Sequence, residues 1–285
     1  MNGRFRVFGL TSPEMAEPFR GMLPQTYDYG DGNYLLGAVD EAGNPCGVCW
    51  YQFGGLYYEV LFLGVHPEYR RQGAGTELLR TFLGSLYEMH TVFPVRLSFI
   101  HDDSSGDFYH FLTSQGNFIL SKPDRLYCIS PEERGKSSLW QSLGKNRLEA
   151  VSFFELPEKV RREFVARQHK MGYWFFMEED ITGDAYEKEL SFCTLRNNSV
   201  EAALFMKKIN DEVNEVAYLY GDIGLSEHLM KTLSATVKAI DRLCPEKALQ
   251  IKVVNAQSEK LVHKFFPGVN EYTTIENVIW DFSVV

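Results

Sequence analysis

Apolar residues recur along this chain with two periods, a short one that suits strands and one of three to four residues that suits helices. The stretch Tyr57 to Val65 is an apolar run rich in aromatic and branched residues, as a buried strand requires. Past a polar loop, Leu78, Leu79, Phe82, Leu83 and Leu86 return at helical spacing. They predict an amphipathic helix from about Thr76 onward with that face on a sheet. Around this pair, strands are predicted over Arg4 to Gly9, Tyr34 to Val39, Gly47 to Phe53, Val95 to Ile100, Phe118 to Leu120 and Leu126 to Ile129. Thr11-Ser12-Pro13-Glu14 has a hydroxyl cap and an early proline, the features of a helix start. Gly106 to Ser114 reads as a short helix with Phe108, Phe111 and Leu112 inward. The strands at 118–120 and 126–129 are expected to pair with each other and close a first sheet.

The second half repeats this order. Strands are predicted over Leu148 to Leu156, Leu190 to Leu195, Ala202 to Ile209, Glu215 to Tyr220, Leu249 to Val254 and Thr273 to Phe282. Helices are predicted over Pro157 to Gln168, Ser226 to Leu243 and Glu259 to Phe266. Between the halves, Ser130 to Lys145 is polar and charged and reads as a linker docked by Trp140 and Leu143. The expected organisation is a first domain over 1–130, a linker over 131–146 and a second domain over 147–285. An unrelated α/β domain is the alternative for the second half.

Composition narrows the function classes. The chain has 285 residues, 45% apolar and 24% charged, the balance of a globular protein of one large or two ordinary domains. No apolar run approaches the ~20 residues of a membrane span, and the start of the chain lacks a signal peptide's apolar centre, so the expected place is the cytoplasm and no membrane partner is expected. A net charge of −9 disfavours nucleic acid and mildly favours cationic substrates such as amines. Five cysteines at irregular spacing make no disulfide framework. Cys46 and Cys49 form a lone Cys-x-x-Cys in a strand, where residues three apart are expected to face opposite ways, so no metal is expected.

The chemistry is expected at the junction of the central strand and the long helix, which reads Arg70-Arg71-Gln72-Gly73-Ala74-Gly75-Thr76. A strand that feeds a glycine-bearing turn into a helix aims unpaired backbone N–H groups and the positive end of the helix dipole at one point, and that point suits an anion. Gly73 and Gly75 let a bulky ligand approach the backbone, Thr76 adds a hydroxyl, and Arg70 and Arg71 add charge, so a pyrophosphate is the natural guest. There is no Gly-Lys-Ser/Thr of a Walker loop and no Gly-x-Gly-x-x-Gly.

Arg70, Gly73 and Gly75, with the lead-in Val65-His66-Pro67-Glu68-Tyr69, resemble the acetyl-coenzyme A loop of the GCN5-related N-acetyltransferase (GNAT) superfamily. The resemblance implies two tandem GNAT folds, each a mixed, mostly antiparallel α/β sheet flanked by helices, and an acetyl-CoA-dependent N-acetyltransferase acting by direct attack of an amine. It also implies that the loop from Arg70 through Gln72 and Ala74 to Thr76 holds the cofactor, with its pantetheine arm along Leu63 and Val65 and the Val65 N–H at the thioester oxygen. In the second half only Gly221-Asp222-Ile223-Gly224-Leu225-Ser226 joins strand to helix, without the arginine pair. Asp222 would repel a pyrophosphate, so that half is expected to have lost the cofactor.

Glu59 is the candidate base. It lies six residues before Val65 and is expected on the same strand face, since side chains alternate with period two, and burial there would raise its pKa toward a useful value. The alternative is a glutamate at the solvated start of the strand. The acid is less defined: the slot that holds a tyrosine in many relatives holds Leu112 here, and Tyr109, one turn earlier, is the substitute candidate, with His101 and His110 weaker ones. The region Tyr27, Asp28, Tyr29, Asp31 and Tyr34 is expected either to line the acceptor site or to form an exposed loop. A small-molecule amine or a peptide remains open as acceptor, as do monomer or homodimer, a longer acyl donor, and a CoA-binding sensor without catalysis.

Overall fold

The computed structural model describes residues 4–24, 27, 33–53, 57–90, 93–100, 105–116, 118–146, 149–171, 186–221 and 227–280. These form a mixed α/β protein that divides into two compact units, Met1–Lys122 with Glu276–Val285, and Pro123–Ile275.

In the first unit, β1 (Arg6–Gly9), β2 (Asn33–Val39), β3 (Pro45–Phe53) and β4 (Tyr58–Val65) run antiparallel in order. β5 (Val95–Ile100) then lies parallel to β4. A short helix α1 (Pro13–Ala16) starts as expected, with Ser12 capping it and Pro13 in its first turn. The long helix α2 (Ala74–Glu88) buries Leu78, Leu79, Phe82, Leu83 and Leu86, the five residues whose spacing predicted it. They pack with Cys49, Val60 and Leu97 on one face of the sheet, while Phe19, Leu35 and Val48 form a separate core with Trp50 and Phe62 on the other. The short helix α3 (Ser105–Ser114) and strand β6 (Phe118–Leu120) follow.

The strand after β6 does not close this sheet. β7 (Asp124–Ile129) pairs antiparallel with β12 (Ala248–Val253) of the second unit. The place beside β5, with β6 alongside, is taken by the C-terminal strand β13 (Thr273–Trp280), whose residues from Glu276 belong to the first unit. The expected pairing of 118–120 with 126–129 is thus replaced by an exchange. Its reason is polar. Asn277, buried in β13, accepts from Arg96 Nε at 3.2 Å, Arg96 Nη2 at 2.7 Å and Ser98 Oγ at 2.8 Å, all on β5. Its Nδ2 donates to the Lys122 carbonyl at 3.2 Å. A strand without that amide would remove the acceptor that the half-buried Arg96 and Ser98 share.

In the second unit, 131–145 is not an irregular linker. It forms α4 (Pro131–Lys136) and α5 (Ser138–Lys145), started by a Ser130–Glu133 capping box and by Ser137. Trp140 and Leu143 are buried in the unit's main core. The strand expected over 148–156 shrinks to β8 (Val151–Ser152) followed by a single turn of 3-10 helix. α6 (Glu158–Lys170), β9 (Phe192–Arg196), β10 (Ser199–Lys208), β11 (Val213–Tyr220), α7 (Glu227–Leu243), β12 and α8 (Ala256–Phe265) complete it. Its strand order β8-β9-β10-β11-β12 repeats β1 to β5, with β7 filling the sixth place.

One irregularity recurs in both units. Between Tyr51, opposite Val60, and Trp50, opposite Phe62, one residue of β4, Leu61, has no partner. Between Met206, opposite Val216, and Phe205, opposite Tyr218, Ala217 of β11 is likewise left over. Each bulge begins where the parallel ladder stops, at Val60–Leu97 and at Val216–Ile251.

Candidate active site

The bulge decides where the sequence-predicted residues point. Directly paired residues share a face, so Val60, Leu63 and Val65 lie with Tyr51, Cys49 and Gly47 toward α2, whereas Glu59, Phe62 and Gly64 lie with Gln52, Trp50 and Val48 on the opposite face. Glu59 and Val65 are therefore on opposite faces, because the extra residue Leu61 breaks the two-residue alternation between them. The same effect moves Cys46. An irregularity opposite Ala38 and Val39 absorbs one residue of β3, and Cys46 and Cys49 pack in one core cluster as free thiols instead of facing apart. Burial pushes the Cys49 thiol up to about 12, which makes it inert.

Glu59 is half-buried, and its Oε2 accepts from Gln52 Nε2 at 3.3 Å. Arg96 is its register partner on β5. Its face carries an aromatic wall: Tyr27 is buried with its ring edge-on to Trp50 at 5.2 Å, and Phe62 joins the same cluster. Tyr34 is exposed and stacks on Tyr51 instead. Asp28, Tyr29, Asp31 and His101 lie outside the described residues.

Beyond Val60 the β4 edge facing β5 has no ladder. Successive N–H groups in a strand alternate between its two edges. Because the His66 N–H donates to the Cys46 carbonyl at 2.9 Å, the N–H groups of Val65 and Leu63 point to the unladdered edge. Arg70 reaches the same edge, its Nε donating to the Val65 carbonyl at 3.1 Å.

The loop itself is anchored on one side and open on the other. Pro67–Tyr69 forms a 3-10 turn, and Tyr69 Oη donates to Asp40 Oδ2 at 2.9 Å. Asn44, the backbone N–H groups around it and Tyr69 hold the Asp40 carboxyl down to about 2. Gly73, at φ 100, is the cap residue of α2, whose first residue Ala74 comes two earlier than the expected Thr76, and the first helical hydrogen bond runs from Glu77 N–H to the Gly73 carbonyl at 3.0 Å. The N–H groups of Gly73, Ala74, Gly75 and Thr76 have no acceptor among the described residues, and no side chain caps the helix. A side chain at Gly73 would meet nothing within 4 Å, whereas one at Gly75 would come to 3.3 Å from Phe111 Cζ and 3.4 Å from Val65 Cγ2. Gly73 thus provides the left-handed turn and the open approach, and Gly75 the close packing. Gln72 Nε2 donates back to the Glu68 carbonyl.

Two loop partners had no signal in the sequence. Asp107 Oδ2 lies 3.0 Å from Arg71 Nη2 with both side chains exposed, so Arg71 is shared with a carboxylate. Phe111 packs against Gly75 from α3. Their separation along the chain, 36 residues in the case of Asp107, hides them from any local pattern. On α3, Leu112 is fully buried, Tyr109 half-buried on the α2-side core and His110 exposed. The Tyr109 hydroxyl has no partner among the described residues. His66, just after Val65, buries its Nδ1 without a partner there.

These features suit a pyrophosphate: a row of free donors, a cation over the strand edge and a glycine with clear space. Among the described residues no helix is long and apolar enough to cross a membrane.

The comparisons with known proteins agree with this geometry. Residues 7–93 match the sequence profile of the acetyltransferase (GNAT) family. No curated protein matches the sequence. Among solved structures, a GCN5-related N-acetyltransferase from Kribbella flavida is similar over 96% of this chain and 70% of its own, with 13% identity and a TM-score of 0.58. A tandem GNAT protein from the clavulanic acid biosynthesis pathway is similar over 97% of this chain and 98% of its own, with 12% identity and a TM-score of 0.66. The glucosamine N-acetyltransferase region of a fungal multi-domain β-N-acetylglucosaminidase is similar over 98% of this chain, with 11% identity and a TM-score of 0.69, and this chain spans 38% of that one. Residues 7–93, in the first unit, thus match the acetyltransferase (GNAT) family, and the chain along its length shares the fold of a solved tandem GNAT protein.

Proposed function

We propose that the first unit is a cytoplasmic N-acetyltransferase that takes acetyl-CoA as co-substrate and a cationic amine as acceptor, in a ternary complex, and that the second unit is a degenerate copy. The observation that carries this is the set of four acceptorless N–H groups from Gly73 to Thr76 beside the unladdered edge of β4. Acetyl-CoA supplies the activated acetyl group. Arg70 and the loop N–H groups hold its pyrophosphate, and Leu63 or Val65 N–H donates to the oxygen that gains charge. At a rise of ~3.3 Å per residue, Leu63 lies ~13 Å along the strand from Glu59 and Val65 ~20 Å, which favours Leu63 as that donor.

The bulge gives the two substrates opposite approaches. The acceptor enters on the Glu59 face, where Tyr27, Trp50 and Phe62 present rings and Glu59 and Gln52 present oxygens, a lining that suits an ammonium group. Glu59 takes the amine's proton through water, and Tyr109, with its hydroxyl uncommitted, returns a proton to the departing thiolate. In the second unit the connection from bulge to helix lacks the arginine pair. Asp222 and its neighbours to 226 lie outside the described residues.

The test is calorimetric titration with acetyl-CoA, followed by a thiol-release screen of amines. Binding of one molecule per chain and turnover with at least one amine support the enzyme. One-to-one binding without turnover on any amine would favour a sensor, a reading to which the fully buried Leu112 in the tyrosine slot already lends weight.

A further inference from the structure

One cavity lies away from the β4–α2 junction. It is a groove of about 600 Å³ within the second unit, between α7 and the edge formed by β8 and β9. That size suits a small ligand. Its lining is mixed: Phe192 and Thr194 face α7 from β9, and Ala235 faces them from the helix.

The α7 wall is a single stripe. His228, Lys231, Ala235, Lys238 and Arg242 follow one another at steps of three and four, the spacing of one helix face. The opposite face, with Leu229, Leu233, Val237 and Ile240, is in the core. The stripe therefore sets three cations beside Phe192, with Glu149 as the one carboxylate among the described lining residues, in a chain whose net charge is −9. Lys231 is paired with Glu227 at 2.6 Å, but Arg242 is exposed and has no ion pair among the described residues. Lys238 and Arg242, four residues apart, repel each other along the helix. His228 also lines the groove and buries its Nδ1 without a partner. Cys193, next to Phe192 on β9, packs on the other face of the sheet, and its buried thiol is pushed up to about 12, so the groove is not a nucleophilic centre.

We propose that this groove binds a small amphipathic organic anion, with its apolar body on Phe192 and Ala235 and its anionic head at Lys238 and Arg242. The inference stands apart from the reading of the first unit, since no residue of the β4–α2 junction takes part. It gives the second unit a ligand of its own in place of the cofactor.

The experiment is calorimetric titration of the full chain with octanoate and with octyl phosphate, beside neutral octanol, for the wild type, Ala235→Trp and Arg242→Glu. Ala235→Trp fills the groove, and Arg242→Glu reverses its exposed cation. The expected result is one anion bound per chain and weakened by salt, with no comparable binding of octanol. Binding should be lost in Ala235→Trp and weakened about tenfold, or ~1.4 kcal/mol, in Arg242→Glu. The preferred headgroup then identifies the anion as carboxylate or phosphate. Thermal melts check that both variants fold, and Arg242→Glu, a surface change, decides the matter if Ala235→Trp does not. Absence of saturable binding to either anion, equal binding of octanol, or unchanged affinity in a folded variant would overturn the proposal.

Discussion

The strands β4 and β11 share a backbone irregularity and differ in the sequence that follows it. Each has a parallel ladder that ends at a single-residue bulge, and each carries a glutamate two positions before that bulge, Glu59 and Glu215. Past the bulge they diverge. β4 leads into Arg70, Arg71 and a left-handed Gly73, while the second connection lacks that arginine pair. The glutamates also differ in setting. Glu59 faces Gln52 and Arg96 in register, whereas Glu215 faces Lys207 and Gln250, and burial raises the Glu215 carboxyl against the pull of Lys207 and Lys252. A bulge and its strand register belong to the fold, so a copy keeps them. Loop donors answer to a ligand, and a copy without the ligand need not keep them.

The sharpest way to break this contrast is at Gly73 and Gly75. Replacing Gly73 by Val, which strains a φ of 100, and Gly75 by Trp, which collides with Phe111, should weaken acetyl-CoA binding by more than ~100-fold, or over ~2.7 kcal/mol, in a calorimetric titration. A stoichiometry of two in the wild type would show that the second junction works as well.

Next come the paired glutamates. Glu59→Gln should lower kcat by ~10²–10⁴-fold with cofactor affinity unchanged, while Glu215→Gln leaves turnover as it is. Equal losses from both would sink the assignment of the acceptor site to the first unit.

A third effect is one of stability. Asn277→Leu leaves Arg96 and Ser98 without their buried acceptor and should cost ~3 kcal/mol in urea unfolding. A midpoint like that of the wild type would mean that the strand exchange does not rest on this amide.

The smallest effect is a pH dependence. Glu215 has a folded pKa above its ordinary 4.5, so wild-type stability is retained below 4.5 and declines as pH rises from there through the folded value. Glu215→Gln does not titrate, and its melting advantage should be absent at pH 4 and grow toward neutrality. A constant difference across that range would contradict the burial assigned to the carboxyl.

Much of this was legible in the sequence. The five apolar residues of α2 and the bounds of β5 and β6 followed from periodicity, since a long amphipathic face or a bounded apolar run has one good burial. The loop was legible because its donors and glycines are contiguous. Segment 131–145 was misread on composition, although Ser130 and Glu133 spell a capping box and Trp140 and Leu143 lie on one helix face. The side of the sheet that Glu59 faces was misread because one unpaired residue reverses every later side chain.

The sequence by itself determined most of the order of elements and the tandem repeat, and it marked the glycine turn at Gly73 as a candidate anion site, because each is encoded by residues near one another in the chain. Only the tertiary structure decided which strand lies beside β5, where Asn277 selects β13 over β7, and which face Glu59 occupies, through the Leu61 bulge. It also brought Asp107 to Arg71 and Phe111 to Gly75. Strand pairing and bulges are chosen by contacts between residues tens to hundreds of positions apart, and a local pattern carries no trace of them.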